Sequence, residues 1–293
     1  MILVTGFSGF LGGYIIDELK TSNEKFITLG RNKDAIIHCD LSKEVPKIEK
    51  NENLELVIHN AGKAHSTTND EKYFQVNVQG TINLLKGLDQ SNKPKKFIFI
   101  STVAVYGLDY GTDIKENTEL FSSINYGKSK IEAEKIISDW CQKNNVVCTI
   151  LRLPLVVGKN PPGNLGSMIK GIRKNYYFNI GGGKAKKSMV LANDVAKFIP
   201  IIASIGGVYN LTDGYHPSFY ELSIAIGRKK PLNLPKIIAK IIGSIGDLIG
   251  DKAPFNSDKL KKITNDLTFD DTKARKHGWE PQMVLEYLEN NKV

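Results

Sequence analysis

Two hydrophobic periods alternate through the first half of the chain. Short aliphatic and aromatic runs, Ile2 to Thr5, Phe26 to Leu29, Ala35 to Cys39, Glu55 to His59, Lys96 to Ser101 and Val147 to Leu151, predict strands. Between them, residues Gly9 to Lys20, Glu71 to Gln90 and Tyr126 to Lys143 carry apolar positions at helical spacing, as in Val76, Ile82, Leu84, Leu85 and Leu88. Strands alternating with helices predict an α/β fold whose parallel sheet is covered on both faces. After Gly158 the rhythm loosens into turn-rich segments, KNPPGN, GGGK, TDGYHP and KKPLNLP, with helical patterns between them. The expected division is a dinucleotide-binding domain over 1–158, to which a segment at about 187–210 returns, and a smaller C-terminal α/β lobe for substrate over 159–293. Near Ile237 the apolar residues Ile238, Ile241, Ile242, Ile245, Leu248 and Ile249 form a broad helical stripe. Packing against the rest of the protein is the expectation for that stripe, and a membrane-surface role is the alternative.

Composition narrows the class. At 293 residues and 41% hydrophobic, the chain can build an enzyme-sized core of one or two domains. Forty Lys and Arg against 31 Asp and Glu leave a net charge of +9, which favours phosphate-bearing partners. No aromatic and basic interleaving of the kind that binds single strands accompanies that charge, so nucleic acid is not expected. Cys39, Cys141 and Cys148 form no CxxC pair and read as reduced thiols of a cytoplasmic protein. The N-terminus lacks the pattern of a signal peptide, and the most apolar stretch, Leu234 to Gly250, is interrupted by Pro235, Lys236, Lys240 and Asp247, so no membrane span is expected. None of His38, His59, His65, His216 and His277 pairs at metal-ligand spacing, and no metal is expected.

The first strand-to-helix junction reads Gly6, Phe7, Ser8, Gly9, Phe10, Leu11, Gly12. Three glycines at this spacing meet the needs of a dinucleotide: a tight turn, close backbone approach to a pyrophosphate, and intimate helix packing, with the helix N-terminus facing the phosphates. The acidic residue that would bind the ribose 2′-hydroxyl of NAD is missing, and the second strand ends Leu29, Gly30, Arg31, Asn32. An arginine there pairs with a 2′-phosphate, so NADP is expected in preference to NAD, unless Arg31 is a solvated surface charge. Asp40, in HCDLS, is a candidate for the adenine amino group or a capping residue in a turn.

Tyr126 and Lys130, in YGKSK, are four residues apart on a helical pattern and share a face. A neighbouring ammonium and the positive ring of an oxidised nicotinamide are expected to lower the phenol pKa and make the pair a proton shuttle. The strand at Lys96 to Ser101 runs into Thr102, Val103, Ala104, Val105, Tyr106, Gly107, which places hydroxyls at a strand's carboxyl end, where open α/β sheets bind ligands.

With TGFSGFLG, HNAG (His59 to Gly62), NVQGTINLL from Asn77, STVAVYG, YGKSK and KSMVLANDVA (Lys187 to Ala196), the chain resembles, over nearly its whole length, the extended short-chain dehydrogenase/reductase family of nucleotide-sugar epimerases, dehydratases and reductases. The resemblance implies a Rossmann-type doubly wound sheet and a catalytic Thr102, Tyr126 and Lys130. It also implies cofactor contacts from Leu41, Asn60, Ala61, Gly62, Asn77 and Pro154, a UDP-linked sugar bound by His65, Ser66, Thr102, Asn164 and Lys187, and a homodimer paired through helices around 71–90 and 126–143. Dehydratases of the family carry an acidic pair directly after the threonine. Here Val103 and Ala104 stand there and cannot move protons, which leaves hydride exchange at C4. AGKAHS, RLPLVVG (Arg152 to Gly158) and the tail from NSDKL to GWEP look like 4-keto reductases making UDP-N-acetylquinovosamine-type sugars, although Val157 stands where the family often has tyrosine. A 4-keto reductase is therefore expected first, a UDP-hexose or UDP-N-acetylhexosamine 4-epimerase second. An NADP-binding redox sensor is the non-enzymatic rival.

Overall fold

A computed structural model describes residues 1–50, 53–64, 71–227, 230–249 and 256–291. The expected strands form β1 (Ile2–Thr5), β2 (Phe26–Gly30), β3 (Ile37–His38) and β4 (Leu56–His59). Then come β5 (Lys96–Thr102), β6 (Gly111–Ile114), β7 (Val147–Leu153), β8 (Leu155–Val157), β9 (Phe178–Ile180), β10 (Met189–Leu191) and β11 (Gly207–Asn210). Seven of these make one sheet in the order β11-β7-β5-β4-β1-β2-β3, and every pairing in it is parallel. This is the α/β Rossmann-type architecture. Strand order reverses beside β1, so a crevice opens between the carboxyl ends of β1 and β4.

Helix α1 (Phe10–Thr21) crosses from β1 to β2. The single helix expected over 71–90 is in fact three pieces: α2 (Glu71–Tyr73), a π-helical segment Phe74–Gln79, and α3 (Gly80–Asp89). Helix α4 (Asn125–Lys143) carries Tyr126 and Lys130, and α5 (Gly163–Arg173) opens the later lobe. The third strand is shorter than the expected Ala35 to Cys39. Ala35 N–H donates to the Asn32 carbonyl (2.9 Å) and Ile36 N–H to Thr28 Oγ1 (3.1 Å), which bends the chain away from the sheet before Ile37.

One apolar core lies on each face of the sheet. The first joins residues of β1, β4, β5 and β7 to Leu11, Ile15 and Leu19 of α1 and to Val195, Phe198 and Ile199 of α6 (Ala192–Ile202). The second packs Leu84, Leu85 and Leu88 of α3 and Ala133, Ile137 and Trp140 of α4 against Leu3, Val57, Phe97 and Phe99. A third cluster, around Leu165, Ile169, Met189, Leu222 and Val284, belongs to the later lobe, with α7 (Phe219–Gly227). That lobe continues through β12 (Leu232–Leu234), α8 (Lys236–Ile249), α9 (Ser257–Thr264), β13 (Leu267–Phe269), α10 (Thr272–Arg275) and α11 (Val284–Asn290). The aliphatic stripe of α8 overturns the packing expectation: Ile238, Ile241, Ile242, Ile245 and Leu248 are exposed. Among the described residues no helix is long and apolar enough to cross a membrane, and no three His, Cys, Asp or Glu side chains gather as metal ligands.

Candidate functional site

The floor of the crevice is built by the turn after β1 meeting the turn after β4. Gly6 has φ +67°, and a Cβ there would stand 2.6 Å from Ala61 N, so only glycine lets the two turns touch. Asn60 Nδ2 donates to the Gly6 carbonyl (3.0 Å) and Ala61 N–H to Thr5 Oγ1 (3.1 Å), which fixes the pair of turns. Above them α1 begins at Phe10 with Gly9 as N-cap and no side-chain cap, so its first N–H groups face the crevice without an internal acceptor. Leu11 and Gly12 are buried in the packing, whereas Ser8 and Gly9 are exposed.

His59 was not foreseen as part of the site. Thr81 Oγ1 donates to the Asn77 carbonyl (2.6 Å), so its one proton is committed and it must accept from His59 Nε2–H (3.0 Å). His59 Nδ1 then accepts from the Thr5 hydroxyl (2.7 Å). This network assigns the neutral Nε2–H tautomer. Burial agrees, pushing the imidazole from 6.5 down to about 3, with the positive charge of Lys130 adding to the effect.

Asn77 lies in the π-helical segment and is buried. Its Oδ1 accepts from Lys63 N–H (2.7 Å), and its Nδ2 donates to the Lys63 carbonyl (3.1 Å) and to Ser129 Oγ (2.9 Å), joining the turn after β4 to α4. A Cβ on Gly62 would stand 3.3 Å from Asn77 Oδ1 and 3.5 Å from Lys130 Nζ. The ammonium thus faces the same glycine-lined space as the Gly6 turn. An uncapped helix N-terminus, two glycine turns and a cation along one crevice fit a pyrophosphate and ribose.

Thr102 ends β5 and caps the short 3₁₀ turn Val103–Tyr106, its Oγ1 accepting from Ala104 N–H (3.2 Å). Helix α4 starts against this turn because Gly127 has no side chain: a Cβ there would stand 2.7 Å from the Ala104 carbonyl. That approach brings the Tyr126 hydroxyl close enough to Thr102 for the threonine hydroxyl to act on its pKa. Tyr126 also leans on the Tyr73 ring, centroids 5.8 Å apart. Lys130, 5% exposed, donates to the Ile100 carbonyl (2.7 Å) and stands 4.1 Å over the Phe99 ring.

The electrostatics correct one expectation. Burial raises the Tyr126 pKa, the Thr102 hydrogen bond pulls against it, and Lys130 is not among the groups that move it. The ammonium is turned to the β5 carbonyl, and its own burial lowers it from 10.5 to about 7, held up partly by Glu134. Glu134, one turn further along α4, makes a two-pronged ion pair with Arg152 of β7 (3.2 and 2.7 Å) and accepts from Ser101 Oγ. Arg152 also donates to Tyr106 Oη (3.0 Å) and the Glu116 carbonyl (3.1 Å). This buried pair was likewise not foreseen. Its only sequence signal was a glutamate four residues after Lys130.

The remaining expected residues lie at the margins. Arg31 is exposed at the end of β2. Asp40 Oδ1 accepts from Ser42 N–H (3.1 Å) and Ser42 Oγ (2.7 Å), the geometry of a capping turn, and its pKa is lowered: burial raises it, and those bonds together with Arg31 and Lys43 outweigh the rise. Leu41 is buried, its carbonyl accepting from Asn83 Nδ2 (2.8 Å), and Pro154 is half-buried between β7 and β8. Asn164 is exposed in the first turn of α5. Lys187 is buried, which lowers it to about 8, and its Nζ donates to the Asn265 carbonyl (2.9 Å). His65 and Ser66 lie outside the described residues.

Comparison with known proteins gives the same outline. Residues 2–211 match the family model described as NAD dependent epimerase/dehydratase family. The chain is 30% identical over 229 residues to the N-acetyl-alpha-D-glucosaminyl-diphospho-ditrans,octacis-undecaprenol 4-epimerase of Escherichia coli O157:H7, covering 73% of this chain and 68% of that one. It is 28% identical to the UDP-glucose 4-epimerase of Vibrio cholerae, over 97% of this chain and 92% of the relative. Among solved structures, MoeE5 in complex with UDP-glucose and NAD superposes with a TM-score of 0.76 at 18% identity, covering 98% of this chain and 95% of that one. The UDP-glucose 4-epimerase of Thermotoga maritima with UDP-glucose gives 0.74 at 20% identity, covering 98% and 96%.

Proposed function

The chain belongs to the NAD dependent epimerase/dehydratase family, and from that premise we propose that it inverts C4 of a nucleotide sugar, as a UDP-hexose or UDP-N-acetylhexosamine 4-epimerase. The observation that carries this reading is the Thr102 and Tyr126 hydroxyl pair at the carboxyl end of β5, with Lys130 one turn along α4 and only Val103 and Ala104 beside it. With Val103 and Ala104 in place of an acid and a base directly after Thr102, the site suits oxidation and re-reduction at one carbinol, not loss of water. Both relatives named above are 4-epimerases, which favours epimerisation over the 4-keto reductase expected first.

A bound nicotinamide dinucleotide supplies the hydride acceptor and donor. Residues Gly6 to Gly12 would cradle its pyrophosphate; Arg31, Asp40 and Leu41 would take the adenosine end, and Asn60, Ala61, Gly62, Asn77, Pro154, Tyr126 and Lys130 the nicotinamide side. Tyr126 would exchange the C4 hydroxyl proton while Thr102 holds the sugar oxygen. Lys130 would steady the ribose and favour the phenolate once its ammonium is drawn from the Ile100 carbonyl. The dinucleotide is NAD by the family's description, while the exposed Arg31 supports NADP through its 2′-phosphate. Titration with each separates them. His65, Ser66, Asn164 and Lys187 remain proposed substrate contacts. Residues 1–158 with 187–210 are proposed as the dinucleotide domain and the rest of 159–293 mainly as the substrate lobe, with two copies pairing through 71–90 and 126–143.

The test supplies the purified protein with UDP-N-acetylglucosamine or UDP-glucose without reductant, and separately with NADPH and a UDP-4-keto-6-deoxy-N-acetylhexosamine. A third arm offers polyprenyl-diphospho-N-acetylglucosamine, the class named for the Escherichia coli relative. Formation of the 4-epimer without net loss of cofactor is expected. Stoichiometric NADPH oxidation would return the reaction to the reductase. Tyr126→Phe is expected to lower turnover by roughly 10²- to 10⁴-fold with cofactor affinity nearly unchanged; a fully active variant overturns the assignment.

A further inference from the structure

Helix α8 is packed inside-out. Its smallest residues, Ala239, Gly243 and Gly246, are the buried ones, with Ala239 0% exposed. A Cβ on Gly243 would stand 3.4 Å from Ser257 N, and Ser257 N–H donates to Asp247 Oδ1 (3.0 Å), so this narrow side seats on the start of α9. The large aliphatic residues face away: Ile237 is 74% exposed, Ile245 53% and Leu248 89%, with Ile238, Ile241 and Ile242 also exposed. At about 100° per residue those six positions share one continuous face roughly 140° wide. Lys236 and Lys240 fall on the polar strip along one edge of it, with Asp247, which holds the Ser257 N–H, between them around the helix axis. Two further apolar residues are exposed just before α8, Leu232 of β12 and its ladder partner Phe178 of β9. A patch of this size and composition on a folded protein marks a surface that something covers.

Charge says what covers it. Residues 159–262, which contain α8, hold seventeen Lys and Arg against six Asp and Glu, whereas the rest of the chain holds 23 against 25. The net positive charge of the protein therefore comes from the stretch of sequence that contains α8. A second copy meeting that face would bring like charge against like, while an anionic bilayer offers both an apolar boundary and the opposite sign. We infer that α8 is an interfacial helix that docks the protein on an anionic lipid bilayer. Its isoleucine face enters the boundary between headgroups and acyl chains, and Lys236 and Lys240 meet the lipid phosphates.

The inference is independent of the reaction catalysed, and its test does not use the active site. The full-length protein is floated with vesicles of equimolar phosphatidylcholine and phosphatidylglycerol, and with vesicles of phosphatidylcholine alone. Binding to the anionic vesicles is expected, weaker on the neutral ones and falling as salt rises. The double variant Ile241→Ser, Ile245→Ser is expected to lose roughly tenfold or more in partition. Its circular dichroism and its turnover of soluble substrate should be unchanged, because both side chains already face solvent and lie outside the proposed site. Protein that stays unbound on anionic vesicles overturns the inference, as does binding that the double variant does not weaken. So does a dimer in sedimentation that the double variant splits without any vesicle binding, which would make the face a contact between copies. Failure to turn over a nucleotide sugar would count against the proposed function alone.

Discussion

Lys130 is held between two opposing influences. Burial drives its pKa down to about 7, and the Glu134 carboxylate one turn along holds it up. Glu134 is itself paired with Arg152 in a buried place (2.7 Å), so the ion pair acts on the site through Lys130 as a positioning element. Breaking such a pair costs about 3–5 kcal/mol, and Glu134→Gln is expected to lower the melting temperature accordingly. A purely structural role predicts nothing more. A role in poising Lys130 predicts also that the alkaline limb of kcat/KM against pH moves to lower pH, because the ammonium then loses its proton sooner. The pH profile of the variant separates the two. His59 gives a second pH dependence, of opposite origin. Its pKa falls from 6.5 to about 3 on folding, so between those values the unfolded chain binds a proton that the native protein does not. Its stabilising contribution is full above the unfolded value and is lost as pH falls toward the folded one, by about 1.4 kcal/mol per unit. Urea midpoints taken across that window check this. His59→Asn, which keeps a donor and an acceptor, is expected to flatten the decline.

Elements set the distance between these side chains, and here the sequence is legible only in part. Strand and helix periods locate β1, β4, β5, β7, α1 and α4 nearly to the residue because the central strands are buried as short continuous apolar runs and each helix buries one face continuously. The π-helical segment Phe74–Gln79 leaves no such mark. Its apolar residues still satisfy an α-helical spacing, and the extra residue in the turn becomes visible only as Asn77 reaches Lys63 on one side and Ser129 on the other. The ion pair of Glu134 with Arg152 was hidden for a different reason: it joins a helix to a strand 18 residues away, a partnership that only the folded sheet creates. Tyr126 could be found by spacing, but the direction of its pKa could not, since that depends on where the Lys130 ammonium turns. Gly127 is the clearest case of an element decided by one atom. Gly127→Ala would drive a Cβ into Ser122 Oγ and to 2.7 Å from the Ala104 carbonyl, and push α4 off the 3₁₀ turn that carries Thr102. A displacement near 1 Å is enough to cost about 10²-fold in turnover. The variant is expected to fold and bind the dinucleotide while losing turnover on that scale, measured by initial rates and by cofactor titration.

At the scale of the whole molecule, the late part of the chain completes the early part. Edge strand β11 comes from residues Gly207–Asn210, and α6 covers the face of the sheet that α1 begins to cover. Trp279, 2% exposed, enters that same core: its ring lies 5.0 Å from Phe198, and its Nε1 donates to the Thr212 carbonyl (2.9 Å). Asp213, next to Thr212, accepts from Val284 N–H (3.2 Å), and Asp194 of α6 accepts from Gln282 N–H (2.8 Å), which ties the chain at the start of α11 to α6 and to the segment after β11. The two proposed domains therefore share buried surface. Trp279→Ala is expected to cost about 3–5 kcal/mol. The loss should reach the crevice although residue 279 is more than two hundred positions from Gly6 and Gly12. Dinucleotide binding and far-UV circular dichroism should disappear together as urea rises, and both midpoints should move down by the same amount in the variant. An autonomous domain over residues 1–158 would behave otherwise. It would keep binding the dinucleotide after the Trp279 environment is lost, and the substitution would move one midpoint while leaving the other in place.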